Sequence, residues 1–227
     1  MLQLHVHRSE LTYEATLWPY LEAVIDTPAQ VAAALLSEFA TLDVGIADAR
    51  IEKGPLEDCG VNCEVESLDA SIALRLDRVE VHFFATDDAG DDTVDAIRRV
   101  WKAIAAISPE TAAKSHSLLF EMDCELPTGS YRAAMEPFCR PHQDLPVGTE
   151  TAVVYYLPQD ESMGFLESSF MLNRSAEIEG GVLLAVTLAF EGRDSHPEAL
   201  IQAARKRLKD LLERLDIIIS KGSEATS

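Results

Sequence analysis

The sequence predicts an α+β fold of two similar halves, each running strand, helix, antiparallel strands, helix. Three observations carry this. Apolar residues alternate with period two through most of 42–85 and again in segments between 115 and 191, as in strands with one buried face. Other stretches carry apolar residues three and four apart, as amphipathic helices do. The order of these elements then repeats, and hairpin-linked strands closed by a helix place helices on one face of an antiparallel sheet.

Leu2, Leu4 and Val6 alternate with Gln3, His5 and His7 as a short first strand, and a helical stretch from Leu11 to Ile25 is broken at Pro19. Thr27-Pro28-Ala29-Gln30 predicts a helix start: Thr27 caps free amides, Pro28 takes the first position and Gln30 closes a capping box. Val31, Leu35 and Phe39 share its buried face. Strands follow near 42–52, 61–67, 70–76 and 78–85, with turns at Gly54-Pro55 and Ser67-Leu68-Asp69. Val94, Ile97, Trp101 and Ile104 form the stripe of a helix over 92–107. In the second half, Leu118, Phe120, Met122 and Cys124 alternate with Glu121, Asp123 and Glu125 over 115–126. A short helix at 130–139, a proline-rich loop from Pro141 to Gly148, and strands near 150–158, 164–175 and 181–191 come next. Ser195 and Glu198 form a capping box for the last helix, whose stripe is Ile201, Ala204, Leu208, Leu211 and Leu215.

The predicted units are 1–112 and 113–220, packed as one pseudo-duplicated domain of curved antiparallel sheet on long helices, with a disordered tail at 221–227. This order of elements resembles that of the TATA-binding-protein-like and Bet v 1-like folds, in which a curved antiparallel sheet wraps a long helix. The resemblance covers element order over most of the chain, shares no motif, and implies nothing about activity.

The 227 residues hold 39 acidic and 19 basic side chains, a net charge of −20. Such a balance opposes binding to phosphate backbones and to anionic membrane surfaces. The basic cluster Arg205, Lys206, Arg207 and Lys209 falls late in the last helix, where cations complement the helix dipole. No apolar run is long enough to span a bilayer, and the first residues do not read as a secretory signal. Four cysteines are too few for a disulfide scaffold, so the expected location is the cytoplasm. Residues 1–112 carry 8 basic and 21 acidic groups and the remainder 11 and 18, so the first half is the more acidic.

The chain has no phosphate-binding loop, dinucleotide fingerprint, nucleophile elbow or H-E-x-x-H helix. Cys59-x3-Cys63 with Cys139-x2-His142 has the ligand types zinc prefers, but the wide gap between the pairs and the strand context of Cys63 favour structural thiols. His5 and His7 on one strand, with Glu80 and His82 on another, can converge on a divalent cation only if those strands are neighbours. Asp87, Asp88, Asp91 and Asp92 lack the glutamate of a calcium loop, Arg98 standing there instead, and suit a helix start. The row Glu121, Asp123 and Glu125 reads as a solvated strand face.

These features predict an acidic, non-enzymatic interaction protein of adaptor, chaperone-like or immunity type. It would dock a basic protein partner through Asp87, Asp88, Asp91, Asp92, Glu121, Asp123 and Glu125, without a cofactor, and self-pair at a sheet edge as a homodimer. The alternative is a small-molecule binding protein or enzyme with an apolar cavity beneath the sheet, lined by Trp101, Tyr155, Tyr156, Phe165, Phe170, Met171 and Phe190.

Overall fold

A computed structural model describes residues 1–55, 58–85, 90–127, 129–138, 152–157, 165–191 and 196–221. Along the chain run β1 (Leu2–Trp18), α1 (Ala23–Asp26), α2 (Pro28–Phe39), β2 (Ala49–Glu52), β3 (Gly60–Val65), β4 (Ala70–Arg75) and β5 (Arg78–Phe83). Then come α3 (Gly90–Ile107), β6 (Ala112–Glu125), α4 (Tyr131–Met135), β7 (Val153–Leu157), β8 (Phe165–Arg174), β9 (Val182–Glu191), α5 (Pro197–Arg214) and β10 (Ile217–Lys221). The fold is α+β. Its strands form one sheet in the order β2-β3-β4-β5-β1-β6-β9-β8-β7, antiparallel throughout, with β10 added parallel to β1.

β1 is the axis of this sheet. It pairs with β6 along almost its whole length, with β10 over Leu2–Val6, and with β5 over Leu11–Thr16. The stretch from Leu11 to Trp18 is therefore strand, not helix. Leu11 and Ala15 have helical spacing, but Tyr13 and Leu17 are buried with them while Thr12, Glu14 and Thr16 are only partly covered. That is period two. It is out of phase with Leu4 and Val6 because β1 bulges between Val6 and Arg8, where His7 is the extra residue opposite β6. A bulge inserts one residue and reverses which parity faces the core. A second irregularity, with Lys114 extra on β6, does the same there, so Ala113 and His116 are both buried.

Other local expectations are corrected too. Thr27 precedes α2, with Pro28 in the first turn, but its side chain does not cap; its hydroxyl donates to the Ala23 carbonyl at 3.5 Å. α5 starts after His196, and Glu198 engages Arg98 instead of closing a capping box; Ser195 lies outside the described residues. The strand expected from residue 42 begins only at Ala49, because 40–42 and 46–48 are 3-10 turns separated by a left-handed Asp43. Ile217–Lys221 is a strand absent from the sequence reading.

The helices gather on one face. α2 packs on β2, β3 and α3, while α3 also meets α5, which lies over β9 and β10. Val31, Leu35 and Phe39 of α2, Ile97, Val100 and Ile104 of α3, and Ile201, Ala204 and Leu211 of α5 are buried against Leu11, Val81, Leu118, Leu184 and Phe190 in one core. Among the described residues no helix of comparable length lies on the other face of the sheet, whose side chains are those of opposite parity.

Candidate functional site

Strand register assembles the uncovered face. Across β5, β1 and β6, Glu80 stands directly opposite Glu14, and Glu10 directly opposite Glu121. Directly opposed side chains have Cβ atoms about 4.5–5.5 Å apart, and like charges so placed repel. Asp123 lies on the same face of β6, its carboxylate accepting the Ser175 hydroxyl at 2.5 Å. Five carboxylates from three adjacent strands thus share one face of the sheet, the Glu14–Glu80 pair lying four residues along β1 from the Glu10–Glu121 pair, roughly 13 Å at strand rise.

They are not equally compensated. Glu10 accepts from Arg8 and from His82 Nε2, the latter at 2.9 Å. Glu14, Glu80 and Glu121 have no ion-pair partner among the described residues. Burial holds the Glu14 carboxyl above its ordinary range; Glu80 and Asp77 push it the same way, and Arg78 opposes them. Beyond β6 the face changes character. Leu119, Leu183, Ala185 and Met171 share it, and at the edge Val154 and Tyr156 are 45% and 86% exposed. The result is an acidic centre beside an apolar shelf.

Of the acidic residues singled out in the sequence, the structure brings Glu121 and Asp123 into this array, with Glu125 at the end of the same strand opposite His5. Asp87 and Asp88 lie outside the described residues, as does the side chain of Asp91; Asp92 is exposed in the first turn of α3. Glu10 and Glu14 were missed. Glu14 falls in the stretch that periodicity predicts as helix and Glu10 just before it, and their neighbours are set by long-range register.

Among the described residues the candidate metal ligands do not converge. His5 pairs with Ser220 at 3.1 Å, and His82 stands opposite Thr12, seven residues further along β1, roughly 23 Å at strand rise. Cys59 donates to the Gly54 carbonyl at 3.2 Å, and Cys63 is a buried thiol pushed up to about 11 by burial, then by Asp48 and Glu64. Cys139 and His142 lie outside the described residues, among which no cluster of His, Cys, Asp and Glu could hold a metal ion. Nor do the described aromatics expected to line a cavity share one. Phe170 and Phe190 are fully packed, Tyr155 stacks at 6.3 Å from Phe170, and Tyr156 and Met171 face the other way; the Phe165 side chain lies outside the described residues.

Trp101 belongs elsewhere. Its indole N–H donates to the Tyr13 hydroxyl at 2.9 Å, and that hydroxyl lies 2.9 Å from Nδ1 of His116. An indole N–H can only donate, so the Tyr13 oxygen accepts it and its own hydrogen is free for His116 Nδ1. Burial raises the Tyr13 phenol above its ordinary range, against the lowering effect of Trp101, and keeps it neutral.

No protein-family model matches the chain, and no curated protein is significantly similar to it.

Proposed function

We propose that the chain is a non-enzymatic interaction protein that docks a basic protein segment on the uncovered face of its sheet. The observation supporting this most directly is the opposition of Glu14 to Glu80 and of Glu10 to Glu121 on the face opposite α2, α3 and α5. Such pairs cost stability, and a strand of alternating cationic and apolar residues would relieve the repulsion while covering Leu119, Leu183 and Met171. The three described cysteines are free thiols, which supports a reducing compartment. Strands β5-β4-β3-β2 leave one side of the central β1–β6 pair and β9-β8-β7 the other, an order that supports descent from a doubled unit.

The test uses a fluorescent peptide of alternating lysine and leucine, titrated at low and high salt. Wild-type protein should bind it, less tightly as salt rises. Glu14→Gln/Glu80→Gln/Glu121→Gln should lose about tenfold or more in affinity. The equally neutralised Glu22→Gln/Asp26→Asn/Asp43→Asn, changed outside this face, should lose little. Equal losses in the two triples would mean that the peptide reads total charge alone, and the docking face would be rejected.

A further inference from the structure

A cleft of about 530 Å³ opens where α3, the start of β6 and the start of α5 meet. Its walls follow from local geometry. On α3, Arg98, Trp101, Lys102 and Ala105 fall at i, i+3, i+4 and i+7, one stripe of a helix. On β6, the irregularity at Lys114 lets Ala113 and His116, three residues apart, face inward together. His196, which precedes α5, and Pro197, its first residue, close it.

The charge of this lining reverses that of the molecule. In a chain of 39 acidic and 19 basic residues, no carboxylate among the described residues lines the cleft, whereas the cations Arg98 and Lys102 do, beside the imidazoles of His116 and His196. Arg98 is paired at the rim with Glu198 at 2.8 Å. Lys102 is exposed and has no carboxylate partner among the described residues. Most of the rest of the lining is apolar, the Trp101 ring, Pro197 and the methyl groups of Ala105, Ala112 and Ala113, with Thr111 among them, its hydroxyl 2.8 Å from that of Ser108. Behind it, the Trp101–Tyr13–His116 hydrogen bonds hold the indole in place, as a preformed wall requires.

We propose that this cleft binds a small organic carboxylate with an apolar or aromatic body. Its carboxylate meets Lys102 and the guanidinium of Arg98, and its body lies along Trp101 and the alanines. A cation pair beside an aromatic wall selects an anion joined to an apolar group. The cleft lies among the helices, so the inference does not depend on the docking face.

Two tryptophans are present, so the test is made in the Trp18→Phe background, leaving Trp101 as reporter. Aryl and alkyl carboxylates of about six to twelve carbons are titrated beside the matching neutral amides. At least one acid should change Trp101 fluorescence saturably and bind about tenfold tighter than its amide. Lys102→Gln should remove most of that preference, whereas Lys209→Gln, elsewhere on the protein, should leave it. Absence of saturable binding across the panel, equal binding of acid and amide, or an unchanged preference in Lys102→Gln would each overturn the assignment. Glu14→Gln/Glu80→Gln/Glu121→Gln should bind the acid like wild type, so failure of one reading leaves the other standing.

Discussion

Replacing Tyr13 by Phe removes a single oxygen, and the structure states what that oxygen does. It lies 2.9 Å from Trp101 Nε1 and 2.9 Å from His116 Nδ1. Tyr13 and His116 are 1% and 4% exposed, while Trp101 is half-buried. The two losses therefore differ. The indole N–H can turn to water, costing about 0.5–1 kcal/mol, the net worth of an ordinary hydrogen bond. His116 Nδ1 has no such route, and a buried acceptor deprived of its donor costs about 1–3 kcal/mol. Together the substitution should destabilise by about 1.5–4 kcal/mol, a factor of roughly 10 to 900 in the folded-to-unfolded ratio. Urea unfolding measures this directly, with an unchanged denaturant slope showing that the folded state remains compact. In a cycle with Trp101→Phe, the two changes should be strongly non-additive, since one bond is removed by both. A loss below about 0.5 kcal/mol, or strict additivity, would refute the bridge.

Glu14→Gln should stabilise the protein at neutral pH by about 0.5 kcal/mol, the scale of a cross-strand like-charge repulsion. Because the folded state raises this carboxyl, the penalty is complete above the folded pKa and gone below the unfolded one, so the gain should disappear in acid-side unfolding curves. Burial, then Asp123, pushes the Cys124 thiol up to about 12, and Cys63 stands at about 11, so at pH 8 a thiol reagent should label partly exposed Cys59 and spare both until denaturant is added. Gly60→Ala should cost about 1–3 kcal/mol or more in thermal or urea unfolding, because overpacking cannot be relieved when the obstacle is backbone. A Cβ there would lie 2.1 Å from the Leu74 carbonyl oxygen.

What could be read locally was read from periodicity. The stripe from Val94 to Ile104 and the alternation from Leu118 to Glu125 each lie within one unbroken element, and both elements stand close to where the sequence placed them. β1 failed because its bulge at His7 reverses the phase midway, turning one long alternation into two short, contradictory ones. β10 failed because Ile217-Ile218-Ile219 does not alternate and pairs with Leu2–Leu4 at the opposite end of the sequence. The site was legible only in part for the same reason. Glu121 and Asp123 are neighbours two residues apart, but Glu14 meets Glu80, and Tyr13 meets His116, across separations of 66 and 103 residues that only register fixes. No local pattern carries that information.

The position of β1 also orders events during synthesis. It leaves the ribosome before all of its partners, which are made at 78–83, 112–125 and, last, 217–221. Until Ile217 emerges, the edge of Leu2–Val6 that β10 covers is an open template for any other extended chain. Pairings so distant in sequence also form slowly, since each must first close a long loop. Nascent protein therefore exposes an adhesive edge from the emergence of β1 until that of β10, and truncation before Ile217 should yield a product prone to aggregation even though the core helices are intact.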